Sequence, residues 1–146
     1  MVFDKERIYE KMVFIREQTA DIRSLIGEKT YEEIISDQWI IKGLKYSLQI
    51  SVEALIDIAY HLSAKHYKHA PVDARDALKL LTEKQVLPDD QYEKYSAMVG
   101  FRNRVVHGYQ QISNERVYSI AKEELHIFES FIGQVLALME DKLKDQ

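Results

Sequence analysis

The chain contains no cysteine, which excludes disulfides, thiolate metal ligands and a cysteine nucleophile. That absence suits a cytosolic protein, and a cytoplasmic location is expected. Only two prolines and five glycines interrupt 146 residues, so the segments between them should be long. No apolar run approaches the roughly 20 residues needed to cross a bilayer. The first residues, Met-Val-Phe-Asp-Lys-Glu-Arg, turn charged at Asp4 and lack the apolar region of a secretory leader. Basic charge is also short: the net charge of −4 argues against nucleic-acid binding by the surface as a whole. Any such site must be local. One further absence is local: from Lys94 to Asn114 there is neither Asp nor Glu.

What is present reads as helix throughout. Apolar residues make up 46% and charged residues 30% of the chain, an ordinary globular balance that fits one domain over residues 1–146. Ile8, Met12, Ile15, Thr19, Ile22 and Ile26 recur at helical steps, with Asp4 as N-cap and Gly27 as the expected left-handed terminus. Thr30 and Glu33 have capping-box spacing. The longest segment, about Asp37 to His66, carries Ile41, Leu44, Leu48, Val52, Leu55, Ala59 and Leu62 on one stripe. Ile40, Ser47, Ile50, Ala54 and Ile58 form a second. A helix apolar on two faces is either central to a bundle or half of a dimer interface. Trp39 suits the core or an interface, with the core favoured. Asp73 should cap a helix to about Glu83, Asp89 or Asp90 the next one, and a last helix is expected over about Glu115 to Leu143. No strand pattern survives, because the β-branched residues fall at helical spacing. The expected fold is all-α: an up-and-down bundle of four main helices plus one or two short ones, homodimeric.

His61, His66 and His69 invite a metal reading, but steps of five and three do not match the i, i+4 pair that puts two imidazoles on one helix face. No metal site and no cofactor is expected. The acid-free stretch is richer. Phe101 to Tyr109 reads Phe-Arg-Asn-Arg-Val-Val-His-Gly-Tyr, with Gly100 before it and Gly108 inside it. Arg supplies a planar cationic fork that matches phosphate oxygens. An imidazole can take or give a proton near neutral pH. These are the residue types of metal-independent phosphodiester cleavage. On one helix, however, Arg102 and His107 stand about 140° apart, so reach, unwinding or a second copy is needed to bring them to one ligand. The plain alternatives are a histidine that caps or packs and a tyrosine that packs with its hydroxyl satisfied.

The run Arg102, four residues, His107, one residue, Tyr109 resembles the signature of HEPN-domain proteins, specifically toxins of the HepT type. Glu53 to Leu62, Arg75 to Leu81, Met98 to Asn103 and Val117 to Ile120 resemble the family in the same order. The resemblance implies a toxin component of a toxin–antitoxin system: a homodimeric, metal-independent endoribonuclease whose two motif copies line one cleft. It implies Arg102 and His107 as the catalytic pair, with Asn103 matching the frequent Asn beside the Arg; Asn103 and the second cation of the stretch, Arg104, are the expected supporting or RNA-binding residues. It also implies a nucleotidyltransferase antitoxin, MntA, that transfers AMP from ATP to Tyr109. RNA is the implied substrate, tRNA favoured and mRNA also known in the family. No membrane partner is expected. The alternative from another class is a non-catalytic helical adaptor, binding nucleotide or presenting a substrate to a nucleotidyltransferase.

Overall fold

Five of the helices begin where a short polar side chain satisfies the first amides. The computed structural model describes residues 4–108 and 111–144, and these form seven α-helices with no strand among them. Asp4 accepts from the Arg7 amide and opens α1, Lys5–Glu28. Thr30 and Glu33 make the full capping box on α2, Tyr31–Ile35. Asp37 accepts from the amides of Trp39 and Ile40 at the start of α3, Gln38–His61. Asp73 caps α4, Ala74–Glu83. Ser113 caps α6, Asn114–Glu123. α5, Tyr92–His107, and α7, His126–Lys144, complete the set. The four long helices are α1, α3, α5 and α7, as the periodicity predicts.

Three expectations are corrected. Gly27 does not end α1 in a left-handed conformation; it lies inside the helix, which closes at Lys29 with extended backbone. Neither Asp89 nor Asp90 caps α5: they form a 3₁₀ turn, Asp89–Gln91, and the residue before α5, Gln91, makes no side-chain cap. The expected last helix is two. Glu124 leaves helical geometry, and its carboxylate takes the Arg116 guanidinium. The re-aimed α7 then buries Ile127 beside Phe128, Phe131 and Ile132. The apolar spacing runs through Leu125 unbroken, so the interruption is hidden in the sequence.

α3 is the hub, packing against α1, α2, α4, α5 and α6. Leu48, Val52, Leu55 and Ala59 have no accessible surface. The second stripe is partly used at home: Ala54 and Ile58 are buried, and Ser47 donates to Gln18 of α1 at 2.7 Å. α5 docks on α7 through Tyr95, whose hydroxyl donates to Gln134 Oε1 at 2.7 Å and whose ring meets Phe131 edge-on. Burial raises the Tyr95 phenol to about 12, against the opposing effect of the Gln134 bond. Among the described residues no helix is long and apolar enough to cross a membrane.

The histidines near the end of α3 have protein partners. His61 Nε2 accepts the Asp4 amide at 2.8 Å, tying the start of α1 to the end of α3. Burial and the nearby Arg7 cation lower the pKa of His61. His66 lies edge-on to Tyr67, and His69 is 2.9 Å from Asp76. Leu62–His66 forms a π-helical turn, which is where α3 departs from the single helix expected to His66.

Candidate functional site

α5 positions the motif. Its inner face buries Tyr95, Met98, Val99 and Phe101, which leaves Arg102, Asn103 and Arg104 to line its rim. The helix holds through His107 and stops at Gly108, whose φ of 74° places it in the left-handed region glycine adopts freely. The Gly108 amide closes the last turn on the Arg104 carbonyl at 3.2 Å. The unwinding that would turn His107 toward Arg102 therefore does not occur. The two remain about 140° apart, with about 7.5 Å of rise between them, and His107 is exposed at the helix end.

Arg102 is fixed rather than waving in solvent. Its Nη1 donates to Asn103 Oδ1 at 2.8 Å. Its buried Nε lies 3.7 Å from Glu53 Oε1, an ion pair too long for a hydrogen bond. The same Glu53 oxygen accepts from Gln49 Nε2 at 3.1 Å, so the carboxylate is itself oriented. The acid-free stretch thus acquires an acid from α3: continuity of charge along the sequence was not continuity in space.

Two hollows flank the rim. One, of about 180 Å³, is lined by Tyr60, Asp73, Arg75 and Val99 together with Arg102 and Asn103. The other, about 330 Å³, lies against Arg104, Gly108, Lys45, Gln111 and Asn114. The structure therefore places Arg102 with Asn103 at one hollow and Arg104 at the other. Tyr109, the expected modification site, lies outside the described residues. Sequence reasoning missed Gln49, Glu53 and Arg75 as site residues. A signal for Glu53 existed: with Trp39, Tyr46 and Tyr60 it recurs every seventh residue, a spacing that keeps one face of a helix.

That face of α3 corrects the expectation for Trp39. The indole is 73% exposed, covered only in part by Lys42, whose Nζ is 4.6 Å from the ring centroid. Tyr46 is 61% exposed and Val106, one turn beyond Arg102 on α5, 49%. The outer face of α3 is thus aromatic in its first half. In its second half Glu53 pairs with Arg102, and Tyr60 lines the smaller hollow with Arg75, Arg102 and Asn103.

A family model described as ribonuclease HepT-like matches residues 15–135. The chain is 33% identical over 130 residues to the mRNA nuclease HepT of Shewanella oneidensis, covering 89% of this chain and 96% of that relative. It is 27% identical over 136 residues to a putative RNase of Archaeoglobus fulgidus, covering 93% and 96% of the two. Among solved structures it is similar to the tri-AMPylated HEPN toxin of Shewanella oneidensis in complex with MNT antitoxin. That likeness has a TM-score of 0.83 and 27% identity, over 92% of this chain and 99% of the other.

Proposed function

This chain belongs to the HepT-like ribonuclease family, and on that premise we propose that it is the toxin of a toxin–antitoxin pair, cutting RNA without metal at a cleft shared by two copies. The observation that carries the reading is Arg102, oriented by Asn103 and Glu53 at a hollow beside an exposed aromatic face. A permanently charged, pre-positioned fork is what stabilises charge building on a phosphorane.

The chemistry needs two proton transfers. One imidazole takes the proton from a ribose 2′-hydroxyl as that oxygen attacks the phosphorus. A proton is given to the leaving 5′-oxygen as its bond to phosphorus breaks, producing a 2′,3′-cyclic phosphate and a 5′-hydroxyl. Each chain offers one His107, and helix geometry holds it away from its own Arg102. A two-fold dimer supplies the second imidazole and a second Arg102. The exposed Trp39, Tyr46 and Val106 supply apolar side chains that such a dimer would bury. Asn103 and Arg104 hold the RNA backbone on either side. The Shewanella relative is named for mRNA, which weights the substrate toward mRNA over the tRNA favoured from sequence alone.

The likeness to an AMPylated toxin held by its antitoxin supports a nucleotidyltransferase partner that silences this chain by AMP transfer to Tyr109. A cytoplasmic setting suits all of these partners. The test is incubation of purified, unmodified chain with total RNA in EDTA, followed by end sequencing. Cleavage leaving 2′,3′-cyclic phosphate ends is expected, and the mapped positions decide between mRNA and tRNA. An unmodified, folded protein that cuts nothing under these conditions supports the adaptor alternative instead.

A further inference from the structure

Arg75 stands at the start of α4, and its side chain crosses to α5. Its Nε donates to Ser96 Oγ at 2.8 Å and its Nη2 to the Ser96 carbonyl at 3.1 Å. Gly100, one helical turn on, makes room for it: a Cβ there would sit 3.0 Å from Arg75 Nη2. Both bonds use the side edge of the guanidinium, so the end of the fork is left over.

The hollow of about 180 Å³ brings Arg75 together with Arg102, Asn103 and Tyr60. At roughly 30 Å³ per water it has room for a phosphate group and a few waters. It is smaller than the roughly 300 Å³ at which pockets for whole small molecules begin. Its nearby carboxylates already have partners. Asp73 accepts the Asp76 amide at 2.8 Å as the cap of α4, and Glu53 is shared by Gln49 and Arg102. Two guanidiniums, an amide and a phenol share this small hollow with one carboxylate, Asp73, which is held by the first turn of α4, and the free end of the Arg75 fork matches phosphate oxygens.

We propose that Arg75 is a substrate-positioning residue: it binds the RNA phosphate next to the one being cleaved, held in place by Ser96 and the bare Gly100. The inference rests on the ribonuclease reading above. The hollow holds this one neighbouring phosphate at Arg75, and Arg102, on its rim, is left to act on the scissile phosphate of the strand so placed. Arg75 takes no part in proton transfer, so its loss weakens binding far more than turnover.

The test compares the full-length parent with Arg75→Gln, Arg75→Lys and His107→Ala on one RNA oligonucleotide over a series of salt concentrations. Arg75→Gln is expected to raise KM about tenfold with kcat changed less than twofold. It should also lower the magnitude of the logarithmic salt slope of binding by about 0.7, the share of one phosphate contact on a single strand. Arg75→Lys keeps the cation, so its salt slope should stay at the parent value while KM rises less. Melting temperatures are read alongside. An Arg75→Gln protein that melts lower but keeps the parent's KM and salt slope overturns the inference, because a mere tie between α4 and α5 would do only that. A parent no more active than His107→Ala is a separate result: it overturns the ribonuclease reading and this inference with it.

Discussion

His107→Ala is expected to lose RNA cleavage by about a thousandfold or more in kcat, within the range of about 10²–10⁴ that positioned acid–base groups supply. Arg102→Ala should lose about 10²–10³-fold, the size of effect seen when a pre-positioned donor to a charged transition state is removed. The two should differ in cause. Without His107 neither the 2′-hydroxyl nor the leaving oxygen has its proton partner. Without Arg102 the protons can move, but charge on the phosphorane goes uncompensated. Arg102→Lys is expected to rescue little, because an ammonium cannot hold the Asn103 amide and face Glu53 in the same plane. Neither alanine variant should unfold the chain: the Arg102 side chain is 31% exposed and His107 sits at the surface. Single-turnover cleavage rates with circular dichroism on the same samples check both halves of the expectation. Undiminished cleavage by either folded variant removes that residue from the mechanism.

Tyr109→Phe is expected to keep its ribonuclease activity in the presence of ATP and the nucleotidyltransferase partner, whereas the parent loses about a hundredfold or more. Gly108 ends α5 immediately after His107, so an AMP joined to the next residue in the chain puts a phosphate and a base within two positions of the imidazole. The added phosphate competes with RNA for the cations that RNA needs, as charge-adding modifications do at other arginine sites. In the expected transfer the Tyr109 phenol oxygen bonds to the α-phosphorus of ATP, pyrophosphate leaves and the phenol proton passes to solvent. Intact mass spectrometry after incubation reads the adduct, and the same samples are assayed for cleavage. A Phe variant that gains AMP as readily as the parent moves the acceptor elsewhere.

Most of the helical layout was legible because its signals are local. Asp4, Thr30 and Asp73 cap the helices they were expected to cap, since an N-cap is decided within four residues. The first stripe of α3 was legible for the same reason, its period being that of the helix itself. Trp39 was misjudged because its exposure depends on what does not pack there, and no local pattern carries that. The break at Glu124 escaped because the apolar period on its two sides happens to stay in register. At the site, the types and order of Arg102, Asn103, Arg104 and His107 could be read. Glu53, Gln49 and Arg75 could not be joined to them, because they come from α3 and α4 and meet the motif only after folding. Whether Arg102 and His107 share a face was decided by one backbone fact, that α5 stays helical to its last residue before Gly108.

The claim that two copies share one cleft is tested most directly by dilution. Parent chain and His107→Ala are refolded together so that subunits mix freely, at about one parent in ten and constant total concentration. If each cleft needs His107 from both copies, only parent pairs cut, and activity falls as the square of the parent fraction, to about one hundredth. If each chain carries a complete centre, or acts as a monomer, activity falls in proportion, to about one tenth. The square law is the predicted result, and the proportional fall would contradict the shared site.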